Sequence, residues 1–208
     1  SEKSVALVSD AGLPSICDPG EDLIKEAKSH GIAIISIPGP CAALTALVSS
    51  GLPSSKFIFE GFLPKKKSER KKILLNITHN EKTTILFESP HRLKRLLNEL
   101  KECFGGKREI QVSRELTKKF EEHIGNNIDE VIDYFEEKEV LGEITVLIKG
   151  INKKDIKSSY DKIVLKRELY DLIDAGLNLS KASKYLAKKY NLTKRLIYNM
   201  YKEPSDLN

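Results

Sequence analysis

The chain alternates between short apolar runs and amphipathic segments, with Gly- and Pro-containing turns between them. Two apolar runs near the start, residues 5–10 and 32–37, are each followed by such a turn and then by a helical segment. Apolar runs of this length, bounded by turn residues, are typical of buried parallel strands. Because loops at the carboxyl ends of such strands hold ligands in α/β proteins, we expect a binding site formed by loops 11–20 and 38–43.

The alternation of strand-like and helix-like segments continues to about residue 150 and predicts an α/β fold, with some antiparallel pairing in the second half. The turn-rich segment 51–55 marks a boundary between two subdomains. We therefore predict domains at 1–52, 53–150 and 151–208. Further strands are predicted at 56–64, 83–88, 109–114 and 143–148, and helices at 21–27, 92–104 and 128–137.

Beyond residue 155 the pattern becomes purely helical. Leu165, Leu169 and Leu172 recur at helical spacing, a second helix is predicted from Ser180 to about Tyr190, and Thr193 is suited to cap a third. Two short helices around the turn 191–193 resemble a helix-turn-helix. We expect a small, all-helical C-terminal domain.

Charge is distributed unevenly along the chain. Residues 151–208 carry 13 Lys and Arg against 7 Asp and Glu, a net charge of +6, whereas residues 1–150 carry 22 against 23. A basic segment beside a nearly neutral body indicates a polyanionic partner, and nucleic acid is favoured over membrane because no strongly amphipathic aromatic face accompanies the charge.

Composition excludes several other classes. The 208 residues are 40% hydrophobic and 31% charged, which is ordinary for a globular protein, and no apolar run approaches the roughly 20 residues of a membrane helix. No signal-peptide pattern opens the chain, so we expect a cytoplasmic protein. Three widely spaced cysteines argue against a disulfide framework or a zinc site, and we predict no metal.

Five motifs occur in a fixed order over about 110 residues. Together they resemble the S-adenosylmethionine-dependent methyltransferases that modify a cytidine ribose 2′-oxygen in small-subunit (16S) ribosomal RNA, a branch of the tetrapyrrole methylase superfamily. The motifs are 8–14 (VSDAGLP) with 18–20 (DPG), 38–47 (PGPCAALTAL), 60–64 (EGFLP), 87–93 (FESPHRL) and 114–118 (RELTK).

This resemblance implies a two-subdomain fold with S-adenosylmethionine bound in the cleft between the subdomains, a helix-turn-helix tail, and a homodimer. The substrate would be small-subunit ribosomal RNA or the assembled subunit. Two features depart from the family. Its members begin with a further strand and loop that form one wall of the cofactor site, so we expect that the N-terminal part is missing here, and Leu13 replaces the usual threonine.

By position, the resemblance implies a set of cofactor contacts in which small residues let the backbone approach the ligand. A helix starting near Cys41 would offer free N–H groups to the cofactor carboxylate. For Asp10, the alternative is a role in forming the turn. The implied contacts are Asp10, Ala11, Gly12, Leu13, Cys41, Ala42, Phe87 and Ile144.

The expected chemistry is an in-line displacement in which positioning supplies most of the rate. A ribose hydroxyl also needs a base or a nearby cation that stabilises the developing alkoxide. We predict Glu88 or Glu115 as proton acceptor and Arg114 as the charge that orients it. The alternative, an ordinary structural ion pair between Arg114 and Glu115, carries equal weight.

Basic residues in three places are candidates for RNA contact. They are the cluster Lys65, Lys66, Lys67 and Arg70, the loop residue Lys118, and the tail residues Lys184, Lys188, Lys194 and Arg195. For the cluster that begins at Lys65, the alternative is a solvated helix face.

The leading hypothesis is therefore an RNA ribose 2′-O-methyltransferase. One alternative is a tetrapyrrole-type, small-molecule methyltransferase of the same fold, which the basic tail disfavours. The other is a non-catalytic RNA-binding fragment that lacks one wall of the cofactor site.

Overall fold

A computed structural model describes residues 3–152, 162–190 and 192–202, and the side chains of 162–164 are not described. The chain forms two compact units, Ser1–Ile151 and Asn152–Asn208. Its helices are α1 (Glu21–Ser29), α2 (Ala42–Ser49), α3 (Lys67–Thr78), α4 (Pro90–Phe104), α5 (Ile128–Phe135), α6 (Lys162–Asp174), α7 (Leu179–Lys189) and α8 (Lys194–Met200). Its strands are β1 (Phe57–Phe62), β2 (Thr83–Glu88), β3 (Ile110–Arg114), β4 (Glu122–Gly125) and β5 (Ile144–Ile148).

The first unit is built on a five-stranded mixed sheet in the order β1-β2-β5-β3-β4. β1 and β2 are parallel, and the other neighbouring strands are antiparallel. This confirms the predicted α/β pattern with antiparallel pairing in the second half. The mostly apolar character of β5 follows from its central position, where both faces are buried.

Two apolar clusters cover the two faces of the sheet. On one face, Leu86 and Val146 pack with leucines of α4 such as Leu93. On the other face, Ile85 and Leu147 pack against α2. The small residues Ala43 and Ala46 let α2 lie close to the sheet.

The two apolar runs near the start of the chain, 5–10 and 32–37, are not strands. The prediction that both are buried parallel strands is therefore wrong in this structure. A strand needs a neighbour to satisfy its backbone N–H and C=O groups, and the ladder in the described part of the chain involves only residues 57–148. Val5 and Ile35 are consequently 87% and 82% exposed.

The second unit contains α6, α7 and α8 around its own core, which includes Leu169, Leu186 and Ile197. Asn178 caps α7 by accepting a hydrogen bond from the N–H of Lys181, and Thr193 caps α8 in the same way. The predicted start of this helical region at Asp155, and Asn191 of the predicted turn, lie outside the described residues.

Candidate functional site

The two Gly- and Pro-containing loops of the first unit lie against each other. Gly12 has a φ of +74°, and a Cβ placed on it would lie 3.2 Å from the carbonyl oxygen of Pro40. Leu13 packs beside the second loop, with its Cδ2 3.5 Å from the Cβ position of Gly39. Leu13 therefore contributes an apolar contact where a threonine would offer a hydroxyl.

The first loop also packs against the edge strand of the sheet. β1 contains a bulge between Phe59 and Gly61, and Gly61 has a φ of +64°. A Cβ on Gly61 would lie 2.8 Å from the Sγ of Cys17. Glycine thus serves both the backbone conformation of the bulge and the close approach of the loop.

Cys41, Phe87 and Leu116 each pack against the apolar cluster on the face of the sheet that α2 covers. Phe87 is fixed by Phe59, whose ring lies 5.0 Å away in an edge-to-face arrangement. Cys41 is the residue before α2 and provides no side-chain cap to its N-terminus. Leu116 was not predicted as a site residue, although it lies in the 114–118 motif between Glu115 and Thr117.

Of the remaining predicted cofactor contacts, some are exposed on loops and one is buried in the core. Asp10 and Ala11 are exposed on the first loop, and Ala42 is exposed at the start of α2. Ile144 is 4% exposed and packs in the cluster on the opposite face from Phe87. Because the Ile144 side chain points into the core, a contact of Ile144 with the cofactor would have to come from its backbone, and that contact stays a prediction.

Three predicted residues lie side by side at the ends of adjacent strands. In the sheet register Ile144 pairs with Glu88 on one side and with Arg114 on the other. The alternation of side chains along each strand puts this row on the face that carries α3 and α4.

Glu88 is buried and fully engaged. Its Oε2 accepts hydrogen bonds from both terminal nitrogens of Arg70 at 3.2 Å. Its Oε1 accepts from the N–H of Ser89 at 2.9 Å and lies 3.1 Å from the Nε of Arg92. With no exposed surface on its side chain, Glu88 cannot receive a proton from RNA, which corrects the prediction that it is a proton acceptor.

Arg70 is 2% exposed, so the prediction that it contacts RNA is also wrong. Its Nε donates to Glu99, which pairs with Arg95 as well. Burial raises the pKa of Glu99, but the hydrogen bonds from Arg70 and Arg95 outweigh it and hold that pKa below its usual value. Arg92 extends the same network by donating to the carbonyl of Leu63 at 2.8 Å.

Arg114 and Glu115 do not form the expected orienting pair. The guanidinium of Arg114 binds Glu122 at 2.9 Å and donates to the carbonyl of Leu141 at 3.2 Å. Glu115 instead accepts hydrogen bonds from the N–H of Glu143 and the Nζ of Lys118, each at 2.9 Å.

These contacts change the chemistry expected of Glu115. The N–H of Glu143 and then the ammonium of Lys118 hold the pKa of Glu115 below its usual value. Hydrogen bonds from the same ammonium to Glu115 and Glu143 raise the pKa of Lys118. The lowered pKa weakens Glu115 as the proton acceptor that the sequence predicted, and the raised pKa favours the cationic form of Lys118.

A row of polar side chains beside Phe87 was missed in the sequence. Across the sheet, Phe87 pairs with Thr145, Thr145 with Ser113, and Ser113 with His123. Ser113 and Thr145 are buried. A hydroxyl residue among the buried positions of each strand, Ser113 in β3 and Thr145 in β5, was the signal that could have identified them.

The predicted RNA-contacting residues other than Arg70 have exposed side chains. Lys118 is shared between Glu115 and Glu143, and Lys66 pairs with Glu69 at 2.8 Å. In the second unit, Lys194 donates to the hydroxyl of Ser180. The exposed set is Lys65, Lys66, Lys67, Lys118, Lys184, Lys188, Lys194 and Arg195.

Among the described residues, no group of three or more His, Cys, Asp or Glu side chains is arranged to hold a metal ion. No described helix combines the length and apolar character needed to cross a membrane.

Known proteins resemble this chain in sequence along almost its whole length. The family model of tetrapyrrole (corrin/porphyrin) methylases matches residues 1–132. Ribosomal RNA small subunit methyltransferase I of Bacillus subtilis is 40% identical over 204 residues, which cover 97% of this chain and 70% of that protein. The protein of the same name from Synechocystis is 39% identical over 198 residues, covering 95% and 71%.

Solved structures share the fold at lower sequence identity. The methyltransferase CobJ superposes with a TM-score of 0.52 at 19% identity, covering 67% of this chain and 62% of its own. Cobalt precorrin-4 methyltransferase CbiF also gives 0.52, at 15% identity, with coverages of 66% and 61%. This chain thus spans less than two thirds of either structure. The tetrapyrrole methylase fold predicted from the motifs is confirmed.

Proposed function

This chain belongs to the tetrapyrrole methylase family, in the group of the ribosomal RNA small subunit methyltransferases I, and we propose that it methylates the ribose 2′-hydroxyl of a cytidine in small-subunit ribosomal RNA. The methyl donor is S-adenosylmethionine. The similarity to the ribosomal RNA methyltransferases over 97% of the chain carries this choice of substrate.

The residues around the two contacting loops fit such a cofactor. Gly12 and Pro40 approach closely, so that backbone groups line the cleft without intervening side chains. The N-terminus of α2 has no side-chain cap, and its partial positive charge suits the methionine carboxylate. Cys41, Phe87 and Leu116 offer an apolar surface to the adenosyl group.

The cofactor supplies an electrophilic methyl group on a sulfonium. The residues of this chain then have to position the ribose hydroxyl, and alignment alone provides a large part of the rate. Glu88 is buried, and Glu115 already accepts two hydrogen bonds, so neither is available as the base. We assign the electrostatic role to Lys118, whose exposed ammonium can stabilise negative charge on the 2′-oxygen while solvent takes the proton.

Arg114 acts as a second cation at the same strand ends. Its side chain is mostly buried, and it is held by Glu122 and by the carbonyl of Leu141. A guanidinium fixed in this way contributes a positive field without moving during the reaction. We therefore retain Arg114 as a catalytic residue, add Lys118, which was predicted only as an RNA contact, and assign Glu115 to holding Lys118 in place.

RNA recognition is assigned to exposed lysines and arginines on both units. Lys65, Lys66 and Lys67 lie just before or within the first turn of α3. Lys184 and Lys188 are on α7, and Lys194 and Arg195 are on α8. Contacts to phosphates supply affinity without base specificity, which agrees with lysine and arginine side chains, whose charge lies at the end of a flexible chain.

We also propose that the protein acts in the cytoplasm as a homodimer. Exposed apolar side chains on the first unit, among them Val8, Ile35 and Val48, favour association with another surface. Light scattering at several protein concentrations tests whether the protein forms a homodimer.

Methyl incorporation into ribosomal RNA tests the main proposal. The chain is incubated with S-adenosylmethionine carrying a labelled methyl group and with unmethylated small-subunit RNA or the assembled subunit. We expect label in a cytidine ribose, which makes the adjacent phosphodiester resistant to alkali. Label in a base, or label only in a tetrapyrrole precursor, would contradict the proposal, whereas RNA binding without transfer would support the non-catalytic alternative.

A further inference from the structure

A chain of hydrogen bonds connects the interior of the sheet to the loop that follows β3. The hydroxyl of Ser113 lies 3.1 Å from the Nδ1 of His123, and the Nε2 of His123 lies 2.9 Å from the Oε1 of Glu121. The second oxygen of Glu121 accepts a hydrogen bond of 2.6 Å from the backbone N–H of Thr117. His123 therefore connects β3 to Thr117 through one carboxylate.

The loop that receives this contact is strained. Glu115 has a φ of +52° and Thr117 a φ of +66°, although neither is a glycine. For a β-branched residue such as Thr117, the left-handed region is strongly disfavoured, and it persists only where surrounding contacts enforce it. The contact from Glu121 is made at the Thr117 amide itself.

The ring contacts indicate how His123 acts. Gln111 donates to the hydroxyl of Ser113 at 3.1 Å and lies 3.3 Å from the Nδ1 of His123. With Nδ1 as acceptor, a neutral His123 donates its Nε2–H to Glu121. The N–H of Thr117 and then His123 hold the pKa of Glu121 below its usual value, so the carboxylate remains an acceptor for both.

Ser113, His123 and Glu121 are connected by hydrogen bonds in that order, but a hydrolytic role does not follow from this arrangement. Ser113 has no exposed surface, so its hydroxyl cannot reach a substrate carbonyl. The arrangement instead resembles a support for the loop.

Leu116 gives that support a functional consequence. It lies between the two strained residues, and its side chain packs against the apolar cluster of α2 and the sheet, as those of Cys41 and Phe87 do. A change in the backbone at Thr117 would therefore move Leu116 relative to these two residues. Lys118, one residue further on, would move with it.

We propose that His123 is a positioning residue, which acts through Glu121 to hold Thr117 in its left-handed conformation and thereby fixes Leu116 and Lys118 at the cofactor cleft. The support of the loop follows from the contacts alone, whereas its effect on catalysis rests on the proposed methyl transfer. His123 itself contacts neither Leu116 nor Lys118 in the hydrogen bonds described above.

The test compares His123→Ala with His123→Gln and with His79→Ala. Glutamine retains a donor and an acceptor, and His79 is an exposed histidine at the end of α3 that belongs to no site described above. Hydrogen exchange of residues 115–118 is measured without cofactor. The KM for S-adenosylmethionine and kcat are measured at saturating RNA.

In His123→Ala we expect exchange in the loop to accelerate by about tenfold or more, because loss of the contact releases a conformation that is costly to hold. The KM for S-adenosylmethionine should rise by roughly tenfold because Leu116 moves, and kcat should also fall by roughly tenfold because Lys118 moves with the loop. His123→Gln should stay within about threefold of the parent, and His79→Ala should not differ from it.

Thr117→Gly distinguishes positioning from general stability. Glycine adopts positive φ without strain, so the loop needs less support, and adding His123→Ala to Thr117→Gly should change exchange and KM less than His123→Ala does alone. If His123→Ala does not fold, Glu121→Gln takes its place in the same cycle. Equal effects in both backgrounds, or unchanged loop exchange in His123→Ala, would overturn the proposal.

The outcomes separate this inference from the proposed function. If His123→Ala accelerates exchange in the loop and Thr117→Gly suppresses that effect, His123 supports the loop even if the parent protein transfers no methyl group. In that case only the proposed methyl transfer is refuted. Unchanged exchange together with normal methyl transfer refutes the role of His123 alone.

Discussion

The guanidinium of Arg70 lies 3.2 Å from the carboxylate of Glu88, and both side chains are almost completely removed from solvent. Arg70 comes from a helix that begins in a run of surface lysines, and Glu88 is the last residue of a central strand. Their pairing fixes α3 to the end of β2 at the position where the proposed cofactor and RNA surfaces belong.

Removing one partner of this pair should destabilise the first unit strongly. We expect Arg70→Ala to lower the free energy of unfolding by about 3–5 kcal/mol, because it leaves a buried carboxylate with one fewer cation. Urea denaturation measures the change. Lys66→Ala is the matched control, since it breaks the exposed ion pair with Glu69 in the same helix region and should cost less than about 1 kcal/mol. Similar losses in both variants would contradict the structural role of Arg70.

Gly12→Ala tests the contact between the two loops. Its methyl group would lie 3.2 Å from the carbonyl oxygen of Pro40, at a residue with positive φ. We expect the Kd for S-adenosylmethionine to rise by roughly tenfold, equivalent to about 1.4 kcal/mol, because the loops must separate. Calorimetric titration provides the measurement. Gly31→Ala has a φ of +68° but no neighbour within 4 Å, so it introduces backbone strain without the clash and should leave the Kd unchanged.

Gly142 provides the space into which Glu115 folds. A Cβ at Gly142 would lie 2.5 Å from the Cγ, Cδ and Oε1 of Glu115. We expect Gly142→Ala to be less stable than Gly31→Ala, although both place alanine at positive φ, because only the former displaces a neighbouring side chain. The strain alone costs about 1 kcal/mol. If the two variants lose equal stability in urea, Glu115 does not need this space.

The pH dependence of stability should show how much the ionised carboxylate of Glu115 contributes to it. Its pKa is lower in the folded protein than in the unfolded chain, because of the N–H of Glu143 and the ammonium of Lys118. A lowered pKa means that the stabilisation is present above the unfolded value, about 4.3, and is lost as the pH falls through the folded value. The difference in Tm between the parent and Glu115→Gln should therefore be largest near neutral pH and shrink below about pH 4. A constant difference between about pH 3 and pH 7 would show that the charge is irrelevant.

The salt dependence of RNA binding should report the basic residues of the second unit. If about five phosphates are neutralised, log K should fall with log salt with a slope near −4 to −5. Replacing Lys184 and Lys188 together with glutamine should reduce the magnitude of that slope by about 1.4–1.8 and leave the Kd for S-adenosylmethionine unchanged. Fluorescence anisotropy with labelled RNA measures both slopes. Lys25→Gln, on α1, is the control, and an unchanged slope in the double variant would remove α7 from the RNA surface.

The sequence predicted the positions of helices and strands better than it predicted which residues surround each side chain. The periodicity of β2, β3 and β5 gave their positions, but the central place of β5 between β2 and β3 depends on long-range pairing that no local pattern encodes. Arg70 looked like one more surface charge because its partners, Glu88 and Glu99, are 18 and 29 residues away. The apolar run at 5–10 had the composition of a strand, yet composition does not supply a neighbouring strand.

The outcome of the site predictions depends on the same difference between local sequence and three-dimensional environment. Residues chosen for small size or apolar character, such as Gly12, Cys41 and Phe87, lie at contacts that suit a ligand cleft. Residues chosen for charge changed their roles, because the reactivity of Glu88 or Glu115 depends on which donors surround it. Those donors include the backbone N–H groups of Ser89 and Glu143, which are invisible in a side-chain motif.

The exposed apolar runs at 5–10 and 32–37 also have a consequence for handling the protein. Their backbone is not protected by a ladder, whereas residues 57–148 are held in a sheet with buried faces. Proteases cut where a segment can adopt an extended conformation without unfolding its surroundings. Brief digestion with a protease that prefers aliphatic residues should therefore remove the first forty or so residues before it cuts the sheet, so storage and assay conditions need to guard that end of the chain first.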